Sequence, residues 1–206
     1  MTKRKSGHRH PLLAYRRAMD RLWQITLPFG LIMLTWWEIS GRLLPVVGYI
    51  PKIPSPYDEI LFIGGFITLA FAVFAFFARN LAYVQAKTDH IRLTTPFLAL
   101  KISYRRIHSV HPANFVQLFP PSEVKWHQRG SLTPFYGSTA LVLELSGYPS
   151  SLRTLRLFLG SFMLLPKSVG FVLLVPDWMA LSTEIESFLG AWREGQGRAR
   201  KQRSSS

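Results

Sequence analysis

Two stretches of the chain are apolar on nearly every side, and the sequence beyond them alternates. Residues 60–78 read ILFIGGFITLAFAVFAFFA, without a charge. At ~1.5 Å per helical residue they extend about 28 Å, close to the ~30 Å hydrocarbon core of a bilayer. A soluble core helix is rarely apolar all round, so the pattern predicts a transmembrane helix. The earlier run, 22–37, lies between Arg21 and Glu38 and contains Gln24, Thr26, Pro28 and Gly30. At about 24 Å it is short for a span, but Trp36 and Trp37 suit a headgroup-level aromatic belt. It reads as the first of two spans, with an interfacial or re-entrant segment as the alternative. Residues 40–57 mix apolar side chains with Pro45, Pro51, Pro54 and Pro56. They cannot continue a regular helix and are expected to form a short interfacial connection.

After Arg79 the period changes to two. Ala82, Val84 and Ala86 alternate with Tyr83, Gln85 and Lys87; Ile91 and Leu93 alternate with Arg92 and Thr94; Leu98, Leu100, Ile102 and Tyr104 alternate with Ala99, Lys101, Ser103 and Arg105. Such alternation predicts half-buried antiparallel strands, with turns at Thr88-Asp89-His90 and Thr95-Pro96-Phe97. Residues 112–138, with four prolines and two glycines, lose the alternation and read as a long loop or an irregular strand pair. Two more strands are expected where Leu141, Leu143 and Leu145 face away from Val142 and Glu144, and where Leu155, Leu157 and Leu159 flank Arg156. Residues 170–175 are nearly all apolar, as in a central strand. Asp177 can cap a closing helix whose apolar stripe is Trp178, Leu181, Ile185, Phe188, Leu189 and Trp192. The tail 194–206, EGQGRARKQRSSS, is expected to be disordered.

The predicted class is therefore α+β. A two-helix transmembrane hairpin precedes a bent antiparallel sheet or open barrel, with one C-terminal helix plugging it. The expected divisions are a basic arm 1–21, a hairpin 22–79, a folded domain 80–193 and a basic tail 194–206.

Charge orients this arrangement. Twenty-five Lys and Arg against 11 Asp and Glu give a formal net charge of +14, which calls for an anionic neighbour. Lys3, Arg4, Lys5, Arg9, Arg16, Arg17 and Arg21 precede the first run and Arg79, Lys87 and Arg92 follow the second, while the connection carries Arg42 and Lys52. Positive residues remain inside, so the expectation is a multi-pass protein of the cell membrane with both termini cytoplasmic. The basic N-terminus lacks a small-x-small cleavage site after its apolar run and reads as an uncleaved anchor; its acid-free stretch up to Met19 leaves a mitochondrial transit segment as the weaker alternative. Gly64, Thr68 and Ala72, spaced by four, let another helix approach closely. The partner is either the first helix of the same chain or a second copy in a homodimer.

Residues 80–192 resemble the bacterial pleckstrin-homology-like, membrane-flanking domains. The resemblance rests on the transmembrane pair, the strand pair YVQAKTDHIRLTT at 83–95, the segment ISYRRIHSV from 102, and the final apolar strand with its closing helix. Two features depart from it: Pro96-Phe97 stands where a glycine turn is common, and 112–138 is longer. The resemblance implies membrane-proximal binding or scaffolding rather than phosphoinositide recognition.

No cysteine is present, which excludes disulfides, thiol nucleophiles and cysteine-ligated metals. No phosphate loop, nucleophile elbow or carboxylate pair is visible, so no enzyme and no cofactor are expected. His108 and His111 would fall on opposite faces of a strand, which argues against a metal site. His90 is expected in a turn, in water, and Glu144 on a solvent-facing strand position. The candidate binding residues are Lys101, Arg105, Arg106 and His108. Two adjacent arginines can clamp a phosphate or a partner's carboxylate, although a solvated strand end explains them somewhat more simply. The leading expectation is a non-enzymatic scaffold or protein-interaction module at the inner membrane surface. The alternative is a sensor of anionic lipid headgroups through Arg105 and Arg106. Nucleic acid is disfavoured, because the basic residues are scattered and lack an aromatic platform.

Overall fold

The computed structural model describes residues 6–40 and 57–204. These divide into two compact units: residues 17–79, and the residues up to 16 together with those from 80 onward. The proline-containing connection, with Arg42 and Lys52, lies outside the described residues. The class is mixed α+β, with two antiparallel sheets and six α-helices among the described residues.

In the first unit, α1 (Leu13–Glu38) and α2 (Tyr57–Ala78) lie antiparallel. Asp20 meets Arg79, Trp23 meets Phe76, Gly30 meets Leu69, and Trp37 meets Phe62, so rising positions on one helix match falling positions on the other. The closest approach is made by glycines. A Cβ at Gly30 would stand 3.1 Å from the Leu69 nitrogen, and one at Gly65 would stand 2.8 Å from Leu34 Cδ2 and 3.3 Å from its nitrogen. Backbones this near exclude larger side chains. Within the described residues α2, over Glu59–Ala78, is the one helix long and apolar enough to cross a membrane, and only 17% of it is buried. In α1, Gln24, Thr26 and Thr35 dilute the apolar run.

The second unit begins earlier than the alternating pattern indicates. β1 (His10–Pro11), β2 (Tyr83–Ala86), β3 (His90–Thr94) and β4 (Ala99–Ser103) form one sheet in that order. The arm before the hairpin is thus a sheet element: His10 pairs with Val84 and Pro11 with Tyr83. Gly7 donates to the Ala86 carbonyl at 2.8 Å, Leu12 donates to Ala82 at 3.1 Å, and Leu13 donates to Leu174 at 2.8 Å. Leu12 is 1% exposed. Across the sheet, Val84, Leu93 and Leu100 form one buried row, and Ala86, Ile91 and Ile102 the next, as the alternation requires.

The second sheet is β5 (Ile107–Asn114), β6 (Thr139–Leu145) and β7 (Gly170–Leu173) in that order. β7, expected as a central strand, is last in its ladder. Both faces of this sheet are covered, which is why Val142, expected opposite the core, is buried with Leu141 and Leu143. One face joins the core beneath α6 (Trp178–Ser204), which contacts β2, β5 and β6. The other is covered by the segment expected to be a loop. There α3 (Phe115–Leu118) and α4 (Trp126–Leu132) build a second core of Phe115, Phe119, Val124, Leu132 and Phe135 on Ala140 and Val172. Phe115 packs on Phe119 with ring centres 5.1 Å apart and on Phe135 at 6.0 Å.

Two further expectations are corrected. The leucines at 155, 157 and 159 lie on a helix, α5 (Leu152–Leu159), not a strand. Leu155 and Leu159 are one turn apart and buried, while Leu157 is 77% exposed. The chain after Arg193 does not lose regular structure there, since α6 continues to Ser204. Its start follows expectation: Asp177 Oδ1 accepts from the Ala180 N–H at 2.9 Å, and Leu181, Ile185 and Leu189 are buried.

Candidate functional site

The four basic candidates lie on three successive elements: β4, the turn after it and β5. Lys101 sits mid-strand on β4, exposed, on the face opposite the core. Its register partner is Arg92 on β3, so two cations stand directly across from each other, an arrangement that is destabilising unless an anion or water relieves it. Arg92 donates through Nε to Thr94 Oγ1 at 3.2 Å. On the same sheet Arg9 lies 4.8 Å over the Tyr83 ring, a cation–π contact that fixes a third charge.

Arg105 and Arg106 lie in a short 3-10 turn, residues 104–106, between β4 and β5. Ser103 Oγ caps it by accepting from the Arg105 N–H. Arg105 is exposed. Arg106 is exposed but committed: its guanidinium donates to the Tyr148 carbonyl at 3.0 Å, and its own carbonyl accepts from the Ser146 N–H at 2.9 Å. Arg106 therefore holds the turn after β6 in place. His108 is exposed where the β5–β6 register shifts between Ile107 and Ser109.

The neighbouring polar residues are structural. Glu144, expected in solvent, is half-buried and accepts from Ser109 Oγ at 2.6 Å; Ser109 is also 3.5 Å from His111 Nδ1. His90 opens β3 rather than sitting in open water. It is half-buried, with Nδ1 2.7 Å from Asp89. Among the described residues no three His, Cys, Asp or Glu come together as metal ligands.

The best-connected polar group was invisible to pattern reading. Glu184 of α6 accepts from the His8 N–H through both oxygens, at 3.2 and 3.1 Å, and lies 3.5 Å from His10 Nε2. The N-terminal arm is thereby latched to the C-terminal helix. Gln85 completes the latch by donating to the Gly7 carbonyl at 2.8 Å. Beneath it Tyr104, 1% exposed, donates to the Lys87 carbonyl at 2.6 Å. Burial pushes its phenol pKa well above the ordinary value; the Lys87 bond pulls the other way, and the charges of Asp89 and Glu184 add to the rise.

In the hairpin, Gly64 faces the flexible end of Met33, Thr68 Oγ1 donates back to the Gly64 carbonyl at 2.7 Å, and Ala72 is buried. The tightest contact falls one residue away, at Gly65. Asp20, which no pattern in the sequence marks, holds Arg79 at 3.2 Å, and Arg79 stacks 4.1 Å over Phe76.

The domain thus offers a basic outer sheet face and exposed apolar side chains at Trp126 (85% exposed), Leu157 and Phe97, whose ring lies 6.2 Å from that of Phe158. No family model, no curated protein and no solved structure matches the chain.

Proposed function

We propose that the chain is an integral membrane protein whose helix pair crosses the bilayer twice and holds a non-enzymatic, pleckstrin-homology-like interaction module at the cytoplasmic surface. One observation carries this reading: the hairpin is inserted between two neighbouring strands of a single domain, β1 and β2. The chain leaves that domain in the first turn of α1, after Arg16, and returns to it after α2, which supports an even number of crossings. If α2 spans, the segment before it must span too. α1 supports this, because Ile25, Phe29, Ile32 and Trp36 are exposed along it as Phe66, Ile67 and Phe77 are along α2. The four-plus-three strand order with one closing helix supports the pleckstrin-like reading. The non-enzymatic reading is supported by what the polar groups do: Glu184, Ser109 with Glu144, and Arg106 each tie parts of the domain together.

Topology is tested on the natural cysteine-free background. Single cysteines at Ser6, Ser55 and Ser168 are reacted with a membrane-impermeant maleimide in inside-out and right-side-out vesicles. Ser6→Cys and Ser168→Cys should label from the cytoplasmic side and Ser55→Cys from the opposite one. Opposite sidedness for positions 6 and 168 would overturn the reading. The module's partner is sought by crosslinking in membranes: protein species captured by the full chain and lost on Arg92→Glu with Lys101→Glu support a protein partner at the basic sheet face.

A headgroup sensor is the second reading, favoured by the opposed Arg92 and Lys101 beside Arg9. It predicts that the same double variant, rather than Arg105→Ala with Arg106→Ala, removes any dependence of the domain's protection from protease on anionic lipid.

A further inference from the structure

A cleft of about 680 Å³ opens between α5, the turn at residues 161–163 and the loop that leads into β7. Its lining is mostly apolar, with Phe119, Leu152, Phe162 and Leu165 among it. The floor is firm, because Phe119 belongs to the second core and meets the Phe162 ring edge-on with centres 5.5 Å apart. Arg156 and Lys167 stand at the mouth, both exposed. No carboxylate lines the cleft, and among the described residues neither cation makes an ion pair. The volume lies within the ~300–1,000 Å³ typical of small-molecule sites.

We propose that this cleft binds one acyl chain of an amphiphilic anion, the chain on the Phe119–Phe162 floor and the anionic head between Arg156 and Lys167. An apolar floor alone would accept any neutral hydrocarbon, and two surface cations alone would remain in water. Together they favour a ligand carrying both an apolar chain and a negative charge. Arg156 offers the planar donor pair that matches a carboxylate or phosphate, and Lys167 adds a point charge. A free fatty acid and one acyl chain of an anionic phospholipid share this chemistry. The site lies wholly in the domain, so the inference is independent of how many helices cross the membrane.

The test uses the full chain in nanodiscs of neutral phosphatidylcholine, probed in parallel arms with diazirine-bearing palmitate and with diazirine-acyl phosphatidylglycerol. After photolysis, adducts are mapped by mass spectrometry. Adducts on the peptides around Phe119 and 152–169 are expected in one arm or both, and that pattern identifies the source. Dodecanoate and dodecyl phosphate should compete, and dodecanol should not. Arg156→Ala with Lys167→Ala should reduce labelling at least about ten-fold, as loss of charge-assisted contacts does. Amide exchange of β6 and β7 should be unchanged in the same variant, showing that the fold is intact. Adducts confined to α1 and α2, equal competition by dodecanol, or undiminished labelling of an intact double variant would each overturn the proposal.

Discussion

Replacing Leu12 with alanine tests whether the N-terminal arm belongs to the domain. Leu12 is 1% exposed, and its N–H donates to Ala82 immediately before β2. Truncating a fully buried leucine removes its transfer free energy and leaves a cavity, together about 2–5 kcal/mol. Any opening of the β1–β2 edge that exposes Leu12 should become more populated by the corresponding factor, roughly 30-fold to a few thousand-fold. Amide hydrogen exchange on the full chain in detergent reads this directly, in peptides covering β2 and β3. Ile25→Ala is the control, since Ile25 is 62% exposed and lies in the other unit; it should leave those peptides unchanged. If Leu12→Ala alters exchange in β2 and β3 by less than about three-fold, the arm is not part of the folded domain, and the argument for an even number of crossings fails with it. The same reasoning predicts that a chain beginning at residue 80 folds poorly. Joining residues 1–16 to residue 80 through a short Gly–Ser linker should restore it.

Other perturbations separate the roles of the remaining contacts. Gly30→Val should lower the melting temperature of the purified chain in detergent, because its side chain would meet the Leu69 backbone. Gly64→Ala, which faces only the Met33 methyl, should shift it little. In a double-mutant cycle, Asp20→Ala and Arg79→Ala should couple by about 1 kcal/mol, the scale of a partly exposed pair; a coupling near zero would mean that the two helices are not held there. Tyr104 makes stability fall with alkaline pH. Burial raises its native pKa above the unfolded value of 10.0, so above pH 10 the unfolded chain sheds a proton that the native state retains, and unfolding is favoured. Tyr104→Phe should cost about 1 kcal/mol at neutral pH through the lost Lys87 bond and flatten the alkaline decline in denaturant titrations. A residual slope is expected from Tyr15, whose pKa burial also raises.

How far the sequence reveals this structure depends on how many residues each element has in which to declare its period. α2 has nineteen consecutive uncharged positions, 60–78, and β2 to β4 are a meander in which inward and outward residues alternate strictly, so both are legible. β1 has two residues. Its pairing is dictated by Val84 and Tyr83 across the sheet, and its own letters show only a basic arm. α5 is hidden for a different reason. Leu155, Leu157 and Leu159 satisfy a period of two, and Leu155 with Leu159 satisfies one helical turn, so eight residues cannot decide between them. The signals that do decide were local ones: Ser151 Oγ accepting from the Thr154 N–H, and Gly160 in the left-handed region at φ 77° closing the helix. Those two letters, four positions before and one after the burial pair, mark a capped helix where the leucines alone suggest a strand. Position matters in the same way for the basic residues. Arg105 and Arg106 are neighbours in sequence, but Arg106 is spent on the Tyr148 carbonyl. Cations converge across strands, as Arg92 and Lys101 do, and that register follows only once the Thr95–Leu98 turn fixes which residue of β3 opposes which residue of β4.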